Sequence, residues 1–281
     1  MVFDVAMKRC PNLFILGAMK CGTTSLHNYL DMHPDVCMSS DKEPHYFSFN
    51  CYHYSADDFY SLWSTDSRYL GESSTSYSKL QLAPDTPQRI RTVSPEAKFI
   101  YMVRDPVDRM QSHYNHSVAC SMESESPEVA FTGDLSSNNY VLTSSYFLQI
   151  KRYIDIFGSD RILIVDSDEL RVDRDAVMGQ VYSFLGLPAV NLPNLEKNYH
   201  RTVDLGKDRI LVKYLRKNRR LMKGIKRLFP RKWLSFVGKK PQQLVLFSDT
   251  LRGQLYDYLY SDMEKFKEFS GKSFEHWRLK P

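Results

Sequence analysis

The residues with the clearest chemical purpose stand near the start of the chain, in Gly17-Ala18-Met19-Lys20-Cys21-Gly22-Thr23-Thr24-Ser25. A lysine sits between two glycines, and three hydroxyl residues follow at once. The apolar run Leu13 to Leu16 before it reads as a buried parallel strand, and Leu26, Tyr29 and Leu30 after it lie on one face of a helix. A strand, a glycine turn and a helix N-terminus together form an anion site. The first N–H groups of a helix lack partners, and the helix dipole adds about half a positive charge there. Glycine lets the backbone approach the anion, Lys20 adds a full charge, and the hydroxyls add donors. The expected ligand carries a phosphate. It is not bound in the manner of the triphosphate loop G-x-x-x-x-G-K-[ST], whose lysine follows the second glycine; Lys20 precedes it.

Two further groups have chemical potential. Lys98 to Val103 is a second buried strand, ending at Arg104-Asp105-Pro106. Asp105 reads as a helix N-cap, Pro106 as the first helical residue and Asp108 as part of an acidic first turn. Arg104 is thereby placed at the C-terminal end of a strand, where α/β sheets bind ligands; an ion pair with a nearby acid is the plain alternative. The segment Asp41-Lys42-Glu43-Pro44-His45-Tyr46-Phe47 puts an acid and a histidine two residues apart, on one face of an extended chain. A polar loop with an aromatic anchor would look the same.

The elements that must position these groups alternate. Residues 52–68 read as a helical insertion, Gly71–Tyr77 as a small-residue turn, and the stretch after Pro84 and Pro87 as a helix. The polar segment 119–139 reads as a mobile loop, Tyr140–Phe157 as one long helix, Arg161–Val165 as a third buried strand, Ala176–Leu185 as a helix, and Leu251–Trp277 as a C-terminal helix with an aromatic end. Strands separated by helices give an α/β fold with a central parallel sheet, taken as one domain over residues 1–281. The net charge is +5, but it is local: residues 207–240 hold fourteen Lys or Arg against one acid, leaving a net of −8 elsewhere. Three readings of that tract stand open: a cover for an anionic ligand, a surface for nucleic acid or an anionic membrane, and an ordinary solvated helix face. No apolar run reaches the roughly 18 residues of a membrane span. The five cysteines are odd in number and absent after Cys120, which suits reduced thiols in a cytoplasmic setting.

Taken together, G-A-M-K-C-G-T-T-S-L, K-E-P-H-Y-F, G-E-S-S-T-S-Y, F-I-Y-M-V-R-D-P-V-D-R-M-Q-S and the late F-L-G-L-P resemble the sulfotransferases that use 3′-phosphoadenosine-5′-phosphosulfate (PAPS). The likeness is greatest to the heparan-sulfate type and its bacterial relatives, and it implies a P-loop-like fold. It further implies that Lys20, Cys21, Gly22, Thr23, Thr24 and Ser25 hold the 5′-phosphosulfate. Arg104 and Ser112 would clamp the 3′-phosphate, with Lys207 and Arg209 in a late loop near it. Glu43 would be the base, Lys20 and His45 its catalytic companions, and Glu43, His45, Ser73, Tyr77 and Tyr146 would face the acceptor. No metal is implied.

One departure matters. The heparan-type enzymes carry a lysine where this chain has Ser73 and a proline where it has Thr75. An active-site charge is missing there, with Lys42 and Lys79 as candidate substitutes, and the expected acceptor is a small molecule or carbohydrate. The expected partners include no nucleic acid, and the oligomeric state is not legible. The rival readings are a P-loop nucleotide kinase, which would want a lysine after the second glycine and an acid on a strand for Mg²⁺, and a polyanion-binding module built on the basic tract.

Overall fold

A computed structural model describes residues 10–48, 54–192 and 244–277. Five strands, β1 (Leu13–Gly17), β2 (Val36–Met38), β3 (Tyr69–Ser73), β4 (Lys98–Val103) and β5 (Ile162–Asp166), form one parallel sheet in the order β2-β3-β1-β4-β5. β1 is the centre, paired with β3 on one side and β4 on the other. Its five residues are all buried, as a strand covered on both faces requires. The chain leaves β1 toward one edge of the sheet and later crosses to the other side at β4. The C-terminal end of β1 is therefore a topological switch point, the crevice where such sheets bind ligands.

The helices that serve this crevice are α1 (Thr23–Leu30), directly after β1, and α4 (Pro106–Ala119), directly after β4. The reading of α4 holds in detail. The Asp105 side chain accepts from the Val107 and Asp108 backbone N–H groups at 3.0 and 2.9 Å, and Pro106 opens the helix. Between them lie α2 (Ala56–Tyr60) and α3 (Thr86–Val93); after them come α5 (Pro127–Ala130), α6 (Asn139–Leu142), α7 (Tyr146–Phe157), α8 (Ser167–Val172) and α9 (Arg174–Leu185). The last described helix, α10 (Asp249–Ser270), packs on α7 and α4 and closes at Gly271, which takes the left-handed conformation. Asp262 of α10 caps α7 by accepting from the Phe147 and Leu148 N–H groups at 3.0 and 2.8 Å.

Several expectations are corrected. The 52–68 insertion is helical only over α2, which Ser55 caps, and the chain then turns so that the Trp63 indole donates to the Gly71 carbonyl at 3.0 Å. The 119–139 segment is not a bare loop. It holds α5 and a 3₁₀ turn at Leu135–Ser137, and buried Phe131 anchors it. The long helix from Tyr140 is broken at Thr143–Ser145, because buried Ser144 takes a hydrogen bond from Arg109 and donates to the Pro106 carbonyl instead of continuing the helix. Gly71–Ser73 is strand rather than turn. Its small residues answer a packing demand: a Cβ on Gly71 would lie 2.1 Å from the Met38 sulfur of β2.

Glu72 on β3 is fully buried and accepts hydrogen bonds from the Ser74 hydroxyl and, at 2.8 Å, from the Tyr77 hydroxyl. Burial outweighs those bonds and pushes its carboxyl up from 4.5 to about 8. The folded state thus binds a proton that the unfolded chain has released, so stability falls as pH rises across that interval. Glu72→Gln mimics the neutral acid. In thermal melts its Tm relative to wild type is expected to rise between about pH 5 and about pH 8; a difference independent of pH would contradict the assignment.

Candidate active site

The loop after β1 is shaped by left-handed backbone. Gly22 caps α1 with φ 79°, where glycine carries no steric cost. Lys20 takes φ 75° and His45 φ 55°, a conformation that costs a non-glycine residue roughly 1–2 kcal/mol. Both strained residues belong to the site, as strain at functional positions would have it. The loop is tied down by Ala18 N–H to the Met102 carbonyl at 2.6 Å, Cys21 N–H to the Ala18 carbonyl at 3.1 Å, and the Arg109 guanidinium to the Met19 carbonyl at 3.4 Å. Cys21 is buried beneath it, its thiol pushed up by burial to about 12. Thr23 is buried at the start of α1, while Thr24 and Ser25 are half-buried. Burial lowers the pKa of Lys20, and among the described residues no carboxylate pairs with it.

Arg104 leaves the end of β4 toward the same crevice. Buried Tyr146 pins its backbone, donating to the Arg104 carbonyl at 2.7 Å and accepting from its N–H at 3.4 Å. The guanidinium lies 3.9 Å from Asp108, whose other oxygen is held by Arg252 at 2.9 Å. The Arg104 Nε is buried with no hydrogen-bond partner among the described residues. Lys20, Gly22, Ser25 and Arg104 line one cavity of about 510 Å³, which Arg171 and Arg174 also reach. A guanidinium N–H without a partner among the described residues, a desolvated ammonium and the N-terminus of α1 form a donor set suited to a phosphorylated ligand.

The second half of the site is built on Glu43. Its carboxylate meets the Lys42 ammonium at 2.7 Å, His45 Nε2 at 3.3 Å and the Thr75 hydroxyl at 3.2 Å. His45 Nδ1 is 2.6 Å from the Ser76 hydroxyl, which also meets Ser48 at 2.6 Å. Burial pushes the Glu43 carboxyl up, but the His45 hydrogen bond and the Lys42 charge outweigh it and hold the pKa down at about 2. The side chain remains 35% exposed, so an incoming group can reach it. Lys42 joins the two halves by lying 3.4 Å from the Thr23 hydroxyl on α1, and the Glu43 charge acts on Lys20.

The other expected contacts fare differently. Ser112 lies on α4, half-buried, and does not line the cavity that Lys20 and Arg104 share. Ser73, at the end of β3, is fully buried with its hydroxyl 2.8 Å from His27 Nδ1, and Tyr77, in the 3₁₀ turn that follows, is fully buried between Glu72 and the Phe47 N–H; both hydroxyls are engaged inside the protein. Tyr146 positions Arg104 from beneath and is likewise enclosed. Lys207, Arg209 and the basic tract lie outside the described residues. Ser76, Arg171 and Arg174 were not singled out in the sequence, and Thr75 was noted only as a departure from the heparan-type proline; small hydroxyl residues and surface arginines give no signal of their own. A strand acid also exists after all: Asp166 ends β5. Its carboxylate is occupied by the Asp168 N–H at 2.6 Å, the His276 ring at 3.0 Å and the Trp277 indole at 2.7 Å.

A parallel sheet with a glycine–lysine loop at its switch point, facing a carboxylate–histidine pair, makes an α/β protein with a cationic crevice beside an ionised acid. Comparison with known proteins narrows the class. The sulfotransferase domain family matches residues 11–223, and the chain belongs to that family. It is 31% identical over 215 residues, 69% of its length, to mouse bifunctional heparan sulfate N-deacetylase/N-sulfotransferase 1, and 30% identical over 204 residues to human bifunctional heparan sulfate N-deacetylase/N-sulfotransferase 3. The matches span 23% of each of those longer proteins. A sulfotransferase from Alicyclobacillus acidocaldarius shares the fold with a TM-score of 0.70, covering 96% of this chain and 99% of that one at 24% identity. No described helix is long and apolar enough to cross a membrane.

Proposed function

We propose that this chain transfers the sulfuryl group of PAPS to a hydroxyl or amine of a small-molecule or carbohydrate acceptor, releasing adenosine 3′,5′-bisphosphate. The observation that carries this reading is the juxtaposition, in one cavity, of Lys20 and the Arg104 Nε, which have no carboxylate and no hydrogen-bond partner respectively among the described residues, with an ionised, solvent-reached Glu43 whose charge acts on Lys20. PAPS, when bound, supplies a sulfuryl group already joined to a phosphate leaving group, and such transfers are governed by positioning and charge stabilisation. Lys20 through Ser25 hold the 5′-phosphosulfate, and Lys20 meets the charge that grows on the bridging oxygen as it leaves. Arg104 takes the 3′-phosphate.

Glu43 accepts the proton released as the acceptor atom bonds to sulfur. A carboxylate with a pKa near 2 is a weak base, but a hydroxyl or amine bonded to sulfur becomes strongly acidic, so a weak base placed correctly suffices. Both ring nitrogens of His45 already have protein partners, so its role is to hold Glu43 in place. A metal-dependent kinase is disfavoured by the placement of Lys20 before the second glycine rather than after it. Among the described residues Cys21, Cys37 and Cys120 form no disulfide, which is compatible with the reduced, cytoplasmic setting proposed for the chain.

The test is incubation of labelled PAPS with the full chain and a panel of amino sugars, glycosides and phenols, with products identified by mass spectrometry. A sulfated product that depends on the protein is expected; PAPS consumption with no acceptor dependence would overturn the transferase reading. Arg104→Ala is expected to weaken adenosine 3′,5′-bisphosphate binding by roughly 10- to 100-fold, the worth of a charge-assisted contact, as read by calorimetry.

A further inference from the structure

The Glu43–His45 pair is the end of a longer line of hydrogen bonds. β3 runs into the 3₁₀ turn Thr75–Ser78, and two adjacent hydroxyls of that turn meet the pair. Thr75 donates to Glu43 Oε2 at 3.2 Å, and the Ser76 hydroxyl lies 2.6 Å from His45 Nδ1. Behind Ser76 stands the Ser48 hydroxyl, 2.6 Å away, and both serines are buried. The backbone that carries the ring is fixed too: the His45 N–H donates to the Ser74 hydroxyl at 2.9 Å, and the His45 carbonyl accepts from the Ser48 N–H at 3.1 Å. Titratable or charged groups stand close on three sides: Lys42 on the other Glu43 oxygen at 2.7 Å, buried Glu72 behind Ser74, and Arg89 of α3 on the Ser48 carbonyl at 3.2 Å.

One hydrogen per donor orders this line. An ionised carboxylate only accepts, and a neutral imidazole carries hydrogen on one nitrogen. His45 Nε2 faces Glu43 Oε2 at 3.3 Å, so the ring hydrogen belongs on Nε2 and Nδ1 is an acceptor. Ser76 then donates to Nδ1, which spends its single hydrogen, and Ser48 donates to Ser76. The reverse order would put hydrogen on both ring nitrogens. It would send the Ser48 hydrogen to the His45 carbonyl, a longer contact at 3.1 Å to an oxygen that the Ser48 N–H already serves. The favoured order runs one way, from Ser48 through Ser76 and His45 to Glu43. It also keeps the base open. A carboxylate has about four lone-pair sites; Thr75 and His45 take those of Oε2, and Lys42 takes one on Oε1. The remaining site on Oε1 can take the acceptor's proton. In the other tautomer the Nε2 lone pair would oppose Oε2 and push the carboxylate away.

We infer that Ser76, backed by Ser48, is a positioning residue for the transfer: it holds His45 in the Nε2–H tautomer, and the ring in turn holds Glu43 as the base. This rests on the PAPS reading of the site. The tautomer itself is read without PAPS, from long-range proton–nitrogen NMR spectra of the full chain labelled with ¹⁵N-histidine at neutral pH. The His45 signals are those lost in His45→Gln. Wild type is expected to show hydrogen on Nε2 alone. Ser76→Ala should shift the ring toward the Nδ1–H tautomer, and Ser76→Thr, which keeps the hydroxyl, should restore it. Ser48→Ala, one bond further from the ring, should show the same shift to a smaller extent. In single-turnover transfer from saturating PAPS to an acceptor from the panel above, Ser76→Ala should lose roughly tenfold in rate, the worth of one hydrogen bond, while adenosine 3′,5′-bisphosphate affinity stays within about twofold. Hydrogen on Nδ1 or on both ring nitrogens in wild type would overturn the inference, as would an unshifted tautomer and full rate in Ser76→Ala. A wild-type chain with the expected tautomer that transfers nothing from PAPS would instead remove the underlying reading, and the role of Ser76 in transfer with it.

Discussion

Lys20→Ala is expected to reduce sulfuryl transfer by at least roughly 10²–10³-fold, the cost of removing one preorganised charge from a developing oxyanion. The loss should fall mainly on the transfer step, measured as a single-turnover rate with PAPS saturating, with a smaller loss in nucleotide affinity. The variant should also be as stable as wild type or more so. Lys20 is a desolvated ammonium with no carboxylate partner among the described residues, held at φ 75°, and removing an uncompensated buried charge relieves rather than costs stability. A variant that turned over normally, or that lost activity only by unfolding, would take Lys20 out of the chemistry.

Glu43→Gln separates binding from transfer. The amide keeps the shape of the side chain: its oxygen can still accept from Lys42, and its NH2 can donate to the Thr75 hydroxyl, so the loop should stay in place and adenosine 3′,5′-bisphosphate should bind within about twofold of wild type. Transfer should fall roughly 10²–10⁴-fold, the usual contribution of a positioned base. Because the carboxyl pKa is held at about 2, Glu43 is ionised over the whole neutral range, and the wild-type rate should show no acid limb from this group above about pH 3. Wild-type turnover in Glu43→Gln would shift the proton to His45. His45→Ala would then be the more damaged variant, although both its ring nitrogens have protein partners.

The parts of this site that were legible in sequence are those set by local chemistry. Leu13–Leu16 had to be a covered strand, Gly22 had to turn the chain into α1, and Asp105-Pro106 had to start α4, so Lys20 and Arg104 fell at strand ends without any tertiary knowledge. The Glu43–His45 pairing was legible as a shared face, and the structure brings the two side chains to 3.3 Å. What was not legible depends on partners distant in sequence. β2 is only three residues long, and the end of β3, Gly71-Glu72-Ser73, runs into a serine-rich segment that propensity assigns to turns; its strand identity comes from pairing with β1 and from the space beside Met38. Ser73 and Tyr77 were expected to face the acceptor because the motif around them did so in the resemblance, but here their hydroxyls serve His27 and Glu72. The break before α7 is equally tertiary: Ser144 is taken by Arg109, 35 residues away. Lys79 was named only as a candidate substitute for the charge missing at Ser73; its place beside the loop comes from the packing of Ser78 on Gly17.

The claim on which all of this turns is that the loop from Gly17 to Ser25 is a phosphosulfate site. Its most direct test needs no acceptor: equilibrium titration of the full chain with adenosine 3′,5′-bisphosphate, and separately with ATP and Mg²⁺, repeated in Lys20→Ala and Arg104→Ala. The expected result is saturable binding of the bisphosphate at one site, weakened in both variants, with ATP binding far more weakly and gaining nothing from Mg²⁺. Tight, Mg²⁺-dependent binding of ATP with no binding of adenosine 3′,5′-bisphosphate would contradict it.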